Sequence, residues 1–468
     1  MHAHYTALMD ETILAIARAI AELGGRALLV GGCVRDRLMG REAKDFDLEV
    51  YKLTADQLEA VLSRFGEPIR VGKSFGVLRV KGIDADFSIP RRDSHVGRGH
   101  RGFLVAMDPT MSFADACRRR DLTINAILED PLTQEVIDPC GGREDLERGV
   151  LRAVDATTFA EDSLRGLRVA QFAARFGFAP DAELHRIASQ LDLSDLPGER
   201  LWEEFTKLLL KGERPSLGLE FLRTTGLLRF FPELLEMVGV PQDPEWHPEG
   251  TVWEHTLMVL DEAARLRVGE RDEDLTLTFG ALCHDLGKPA TTFRDEAGRV
   301  RSPNHEEAGV APTEGFLARL RAPNELVARV SILVRHHLAP SSYVKQGSTP
   351  RAYRRLARKL AEAGTTPALL ERLASADHFG RTTPEALARS FPEGAAFLDQ
   401  MRDLNAEIHA VKDVVLGRHL IARGLEPGPQ FGPILERCRS IQEETGWTEP
   451  ERILARALEP EETSPCEN

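Results

Sequence analysis

The sequence predicts an α+β protein, with a small mixed sheet near its N-terminal end and a long all-helical remainder. Three observations lead there. Short strand-like apolar runs crowd the first ninety or so residues, helical periodicity recurs from about residue 160, and strand signals almost vanish between those points and the C-terminus. In order, residues 1–26 carry an amphipathic helix, apolar at Leu8, Ile13, Ile16, Ala17, Ile20 and Leu23. Strand-like runs follow at 27–30, 46–51, 69–71, 76–80 and 83–89, with a helix at 54–65 among them. Helices are then expected at 160–177, 182–192, 199–211, 216–226, 253–267 and 274–283. Proline-rich breaks near 241–248 and 340–349 mark boundaries. The resulting division is a head at 1–150, a helical neck and body at 151–244, a second helical domain at 245–395 and a helical tail at 396–468.

A chain of 468 residues is too long for one ordinary core. Its 42% hydrophobic and 29% charged content is that of a globular protein. No apolar run approaches the ~18 residues of a membrane span, and no basic-then-apolar leader opens the chain, so a cytoplasmic protein with no membrane partner is expected. Six cysteines lack C-x-x-C spacing, which argues against a zinc knuckle or a disulfide framework. The net charge of −14 opposes a nucleic-acid partner unless positive charge is local. Arg118–Arg120, the segment 91–101 and the segment 351–359 are local basic clusters of that kind, although a solvated face is the commoner fate of each.

The most informative string is Leu28-Leu29-Val30-Gly31-Gly32-Cys33-Val34-Arg35-Asp36, followed by Asp45-Phe46-Asp47. Glycines let backbone N–H groups approach phosphate oxygens, and a helix start beyond them adds partial positive charge. Along a strand Asp45 and Asp47 project from one face, where two carboxylates can share Mg²⁺ with a nucleoside triphosphate. A lone Gly-Gly is usually a turn and a lone Asp-x-Asp a strand end. In this order, with Arg35-Asp36 between them, they carry more weight.

This string resembles the signature of the class II nucleotidyltransferases that build RNA 3′ ends, the bacterial poly(A) polymerase and CCA-adding enzyme family. The resemblance implies Asp86 as the third carboxylate, although Asp84 lies on the same face and the choice rests on the family pattern. It also implies that Arg118-Arg119-Arg120-Asp121-Leu122-Thr123-Ile124-Asn125 contacts triphosphate and ribose through Arg119, Arg120, Asp121 and Asn125, with Leu122 in place of the usual Phe. Arg forks suit phosphate oxygens, while Asp and Asn suit ribose hydroxyls. In Glu161-Asp162-Ser163-Leu164-Arg165-Gly166-Leu167-Arg168 the pair Asp162 and Arg165 is expected on one helical face, offering an acceptor and a fork of donors to a base edge, with Arg168 beside them. An intrahelical salt bridge is the ordinary alternative. Glu199-Arg200 reads as a supporting helix, and Asp138 to Leu146 as a hinge or a plain turn.

From Trp246 the text changes: Trp246-His247-Pro248-Glu249-Gly250, His255, Cys283-His284-Asp285-Leu286-Gly287-Lys288, His305, His336-His337 and Asp377. Dispersed histidines and aspartates around a contiguous His-Asp resemble the HD phosphohydrolase superfamily. The pattern implies His255, His284, Asp285 and Asp377 as ligands of a divalent transition metal, with His305 and His337 as auxiliaries; imidazole with carboxylate suits such a metal better than Mg²⁺.

Together the resemblances imply an enzyme that adds C and A to tRNA 3′ ends from CTP and ATP, with Mg²⁺ on Asp45 and Asp47. The HD site is expected to act on phosphate or 2′,3′-cyclic phosphate ends. Ser88-Ile89-Pro90-Arg91 departs from the common Thr-Thr-Phe-Arg, which leaves a CC-adding, an A-adding and a poly(A)-forming enzyme open. A hydrolase with an inactive RNA-binding head is the further alternative.

Overall fold

The structure is a computed structural model that describes residues 11–43, 45–71, 76–95, 103–406 and 412–459. The chain forms two compact units, Met1–Phe230 and Phe231–Asn468. Its class is α+β, with the main sheet confined to the head; two short strand pairs, 150–151 with 179–180 and 293–294 with 300–301, interrupt the remainder that the sequence predicts to be all-helical.

The head sheet is built from β1 (Arg26–Val30), β2 (Phe46–Tyr51), β3 (Pro68–Val71), β4 (Val77–Val80) and β5 (Ala85–Ser88). A separate hairpin pairs β6 (Arg91–His95) with β7 (Phe103–Met107), and β8 (Leu128–Glu129) and β9 (Val136–Ile137) complete the main sheet. Strand order is β3-β4-β5-β2-β1-β8-β9, with β2 and β5 parallel and the other neighbours antiparallel. β1 is buried on both faces because alternation sends its apolar residues two ways. Ala27 and Leu29 join a core with Ile13, Ile16, Ala17 and Ile20 of the helix Glu11–Glu22, and with Leu58, Val61 and Leu62 of the helix Ala55–Leu62. Leu28 and Val30 join a second core with Ala116 and Cys117. The helix Ala55–Leu62 starts where a capping box fixes it: Gln57 N–H donates to Thr54 Oγ1 at 3.3 Å, and Thr54 N–H donates to Gln57 Oε1 at 2.9 Å.

Beyond the sheet, the first unit is helical. The helix Leu164–Phe176 packs against Gly198–Lys211 and Pro215–Thr224. Gly218 makes the last approach possible, since a β-carbon there would lie 2.4 Å from the Ala170 carbonyl oxygen. In the second unit the helix Arg271–Cys283 is buried continuously from Asp274 to Cys283, a central rod without an exposed stripe in its last ten residues. The helices Val252–Arg265, Asn324–His336 and Pro367–Phe379 pack on it. A small terminal core gathers Leu420, Cys438, Ile441, Ile453 and Leu454.

The expected strands and helices appear within a few residues of their predicted ends. The hairpin β6–β7 and the short strands β8 and β9 were not expected. Residues 1–10, where the expected first helix begins, and 96–101 of the basic segment lie outside the described residues, as does the end of the tail. No described helix is long and apolar enough to cross a membrane.

Candidate functional site

In the first unit, Phe46 and Leu48 of β2 point into the core, which turns Asp47 to the open face; Asp45 lies just before the strand and is exposed. The parallel pairing of β2 with β5 sets Asp47 opposite Asp86 in register. Arg79 holds the Asp86 carboxylate, one bond running from Nη2 to Oδ2 at 3.0 Å. Burial, reinforced by the Asp86 and Asp45 carboxylates, raises the Asp47 carboxyl above its ordinary value despite Arg120 and Arg79. A divalent cation relieves that kind of crowding, so the carboxylates fit the hard metal they are expected to hold.

Gly31 takes φ 75°, and a β-carbon there would lie 3.3 Å from Arg120 Nη1 and 4.0 Å from Asp47 Oδ2. The Gly-Gly turn, the Asp-x-Asp strand and the Arg run therefore converge on one spot. Gly32 lies nearby, 3.5 Å from Arg35 Nη2 by the same measure.

One functional side chain escaped the sequence reading. Glu49 is fully buried two positions beyond Asp47 on the same face, and its Oε1 accepts from Arg119 Nη2 at 2.6 Å. Its Oε2 accepts from Tyr51 Oη at 2.8 Å and lies 3.8 Å from Arg120 Nη2. Glu49 thus anchors both arginines, of which Arg120 reaches the glycine turn. Alternation along β2 was the signal that could have found it.

Other expected nucleotide contacts turn inward. Arg35 donates from Nη1 to Asn125 Oδ1 at 2.6 Å and from Nε to Asp36 Oδ1 at 2.8 Å, while Arg175 Nη2 reaches Asp36 Oδ2 at 3.1 Å. Asn125 donates to Asp121 Oδ1 at 3.0 Å, Leu122 N–H donates to the same oxygen at 2.8 Å, and Arg168 Nε fills Asp121 Oδ2 at 2.7 Å. Burial opposes ionisation of Asp121, but Arg168, Asn125 and the Leu122 N–H together hold the carboxyl below its usual range. This chain of bonds fixes the Arg-Arg-Asp turn to the helix after it. In this state Asp121 and Asn125 are internal struts.

Asp162 does not lie on a helix, contrary to the spacing argument, because the helix starts at Leu164. Its Oδ1 accepts from Leu164 N–H at 3.1 Å and its Oδ2 from Arg200 Nη2 at 2.8 Å. The Arg165 fork is engaged by the carbonyls of Thr158 and Arg119, each at 2.6 Å. The two groups are neighbours and are not presented side by side.

In the second unit every expected ligand is buried: His255, His284, Asp285, His305, His337 and Asp377. One ligand atom each from His255, His284 and Asp285 lies within 4.8 Å of the others, and the same holds for Asp285, His305 and His337. Asp285 belongs to both triads: its Oδ2 is 3.3 Å from His284 Nε2, and its Oδ1 is 3.4 Å from His305 Nε2. His255 Nε2 is 3.1 Å from Asp377 Oδ1.

Local backbone sets the tautomers. Nδ1 of His284, His305 and His337 meets the carbonyls of Ala281, Ser302 and Val334 at 2.8, 2.8 and 2.7 Å. Each contact assigns the proton to Nδ1 and leaves Nε2 as a lone pair facing the cluster. Nε2 of His284 and Oδ1 of Asp285 are buried without a hydrogen-bond partner. Burial pushes His337 down to about 3, with His305 and His284 adding to the effect. Burial opposes ionisation of Asp377 and Asp285, yet Arg381 with His255 in one case, and His284 with Lys288 in the other, hold both carboxyls well below their usual range. Burial lowers His305 as well, whereas the Asp285 carboxylate raises His284 against its burial; imidazoles set among ionised carboxylates are a donor set that a transition metal fits.

Sequence reading also left the role of Glu249 unassigned. Its Oε1 lies 2.8 Å from His255 Nδ1 and 2.9 Å from His247 Nδ1, and its Oε2 accepts from Thr382 N–H at 3.1 Å. It turns His255 Nε2 toward Asp377, the supporting role a carboxylate takes behind a ligating histidine.

Residues 27–152 match the family model for the poly A polymerase head domain, 182–237 that for the probable RNA and SrmB-binding site of polymerase A, and 252–374 that for the HD domain. The chain is 36% identical over 425 residues to the multifunctional CCA protein of Xanthomonas campestris pv. campestris (strain B100), spanning 88% of this chain and 96% of that one. It is 38% identical over 323 residues to the multifunctional CCA protein of Methylococcus capsulatus, spanning 67% and 72%. Among solved structures it is similar to the Bacillus stearothermophilus CCA-adding enzyme in complex with CTP, with TM-score 0.63, 23% identity and coverage of 96% and 98%. It is also similar to the Thermotoga maritima CCA-adding enzyme complexed with tRNA, with TM-score 0.58, 18% identity and coverage of 96% of each chain. At these identities the structural likeness is one of fold.

Proposed function

Because the chain belongs to the multifunctional CCA protein family, we propose that it adds C and A nucleotides to the 3′ end of tRNA from CTP and ATP. We assign hydrolysis of phosphate or 2′,3′-cyclic phosphate ends to the histidine site of the second unit. Work in the cytoplasm is part of the same proposal.

The observation that carries the transferase reading is the register of Asp47 against Asp86, with Arg120 and Asp47 both reaching over Gly31. In the reaction the RNA 3′-hydroxyl attacks the α-phosphorus, a P–O bond forms, and the bond to pyrophosphate breaks as the hydroxyl proton leaves. Asp45, Asp47 and Asp86 are the groups that would hold Mg²⁺, which when bound supplies activation of the hydroxyl and offsets charge on pyrophosphate. Arg119 and Arg120, steadied by Glu49, offer donors to the triphosphate. For the base to be read by Asp162 and Arg165, Arg165 must release the carbonyls it now holds and Asp162 must release Arg200.

In the second unit His255, His284, Asp285 and Asp377 would hold a divalent transition metal, with His305 and His337 beside them. Lys288, 2.7 Å from Asp285 Oδ2, and Arg381, 3.0 Å from Asp377 Oδ1, balance the ligand carboxylates and stand ready for a phosphate. Removal of an end phosphate would restore the hydroxyl that nucleotide addition needs.

Ser88-Ile89-Pro90-Arg91 favours keeping a second reading, a narrower CC-adding or A-adding specificity with the same residues. One experiment separates these. tRNA lacking its terminus is incubated with CTP, ATP or both, and the products are sequenced. Extension through CCA, lost in Asp47→Ala, is expected; equal failure of wild type and variant removes the transferase reading. Release of 3′-phosphate from RNA, lost in His284→Ala, is expected of the second site.

A further inference from the structure

Trp246 stands out in the second unit as a large aromatic side chain that is 52% exposed, one residue before a histidine that turns into the buried cluster. Its backbone is fixed. Trp246 N–H and His247 N–H both donate to the Asp243 carbonyl, at 3.1 and 2.9 Å, and Arg299 ties Asp243 to Glu245. The indole also borders two adjoining cavities. One, of about 720 Å³, is lined by His337, Asp377 and Arg381; the other, of about 250 Å³, by His247, Lys288, His305 and Arg381. Trp246 and Arg381 line both cavities, so the tryptophan stands at their common border, beside residues of the candidate ligand cluster.

An exposed indole gains little for folding, because its apolar face stays in water. With Lys288 and Arg381 beside the candidate metal ligands, it matches a ligand that is flat and aromatic at one end and anionic at the other. A nucleotide has that shape, and base-on-aromatic stacking accepts any base. We propose that the Trp246 indole is the stacking platform for the base of the terminal nucleotide whose phosphate is cleaved at the histidine site. This rests on the phosphohydrolase reading above and adds that the site takes nucleotide ends in preference to base-free phosphoesters.

The test uses the full-length protein with a divalent metal and two substrates, adenosine 3′-monophosphate and glycerol 2-phosphate. In Trp246→Ala the ratio of kcat/KM for the nucleotide over glycerol phosphate should fall roughly 10- to 100-fold, mainly through KM, and Trp246→Phe should recover most of it. An unchanged ratio overturns the proposal. Titration of adenosine 3′-monophosphate is read by tryptophan emission as well. Quenching is expected in the wild type and should disappear in Trp246→Phe, where Trp202, Trp253 and Trp447 remain. If the wild type cleaves neither substrate, the phosphomonoester half of the hydrolase reading fails and emission alone decides the platform: quenching that persists in Trp246→Phe, or none in the wild type, overturns it.

Discussion

Arg168 donates from Nε to Oδ2 of Asp121 at 2.7 Å, a bond that joins the helix after the head to the Arg-Arg-Asp turn within it. Asp121 is 7% exposed, so removing its cation leaves a buried carboxylate with only neutral donors. Arg168→Ala should cost about 2 kcal/mol, read as a shift of the urea midpoint, with Arg168→Lys losing less. Equal midpoints for wild type and Arg168→Ala would show that this bond contributes nothing net.

Glu49 holds Arg119 and Arg120 from beneath. Glu49→Gln keeps the shape and removes the charge, so the arginines lose their anchor without opening a cavity. KM for CTP should rise about 10-fold while the far-ultraviolet spectrum is unaltered. Steady-state kinetics on a CCA-lacking tRNA reads it.

A methyl group at Gly31 meets two penalties, the left-handed φ of 75° and the Arg120 guanidinium 3.3 Å away. Gly31→Ala should lower stability by about 1 kcal/mol and transferase activity more than 10-fold, while phosphate release at the second site continues. Thermal melts and parallel assays of both activities check this.

Glu249→Gln should weaken metal binding at the second site by about 10- to 100-fold, because His255 loses the carboxylate that orients it. Isothermal titration of the metal-free protein with Ni²⁺, Co²⁺ or Mn²⁺ reads the change. Affinities that match the wild type would remove Glu249 from that role.

His336 is pushed down to about 4 by burial, with Lys359 and Arg335 adding to it. In the unfolded chain a histidine takes its proton near pH 6.5. Its neutral burial therefore contributes fully to stability above that pH, and the contribution is lost as pH falls from about 6.5 to about 4. Discounted for partial exposure, the loss is about 2 kcal/mol. The difference in urea midpoint between pH 7 and pH 4.5 should shrink in His336→Leu.

The fold was legible wherever periodicity was undisturbed. Leu28 to Val30 and the stripe Ile13, Ile16, Ala17 and Ile20 announce a buried strand and an amphipathic helix. The hairpin β6–β7 was not legible, because Arg91-Arg92-Asp93-Ser94-His95 is polar at every position and its pairing is made by backbone. The ligand cluster of the second unit was readable because His-Asp contiguity survives on a helix end. Glu49 and Glu249 were passed over because their role is to hold other side chains, and acidic residues in a strand or loop look like solvated ones until their partners are known. Asp162 failed differently: helical spacing was assumed through a residue that lies before the helix start.

Parallel alignment of β2 with β5 has an evolutionary corollary. The two strands are separated by residues 52–84, whose described part includes the helix Ala55–Leu62 and the antiparallel pair β3–β4, and pairing parity ties Asp86 to Asp47. Insertions and deletions within that excursion leave the register of Asp47 against Asp86 untouched. A slip of one residue in β5 would instead set Phe87 in place of Asp86 opposite Asp47, so gaps in this lineage should concentrate before Ala85 and be purged after it.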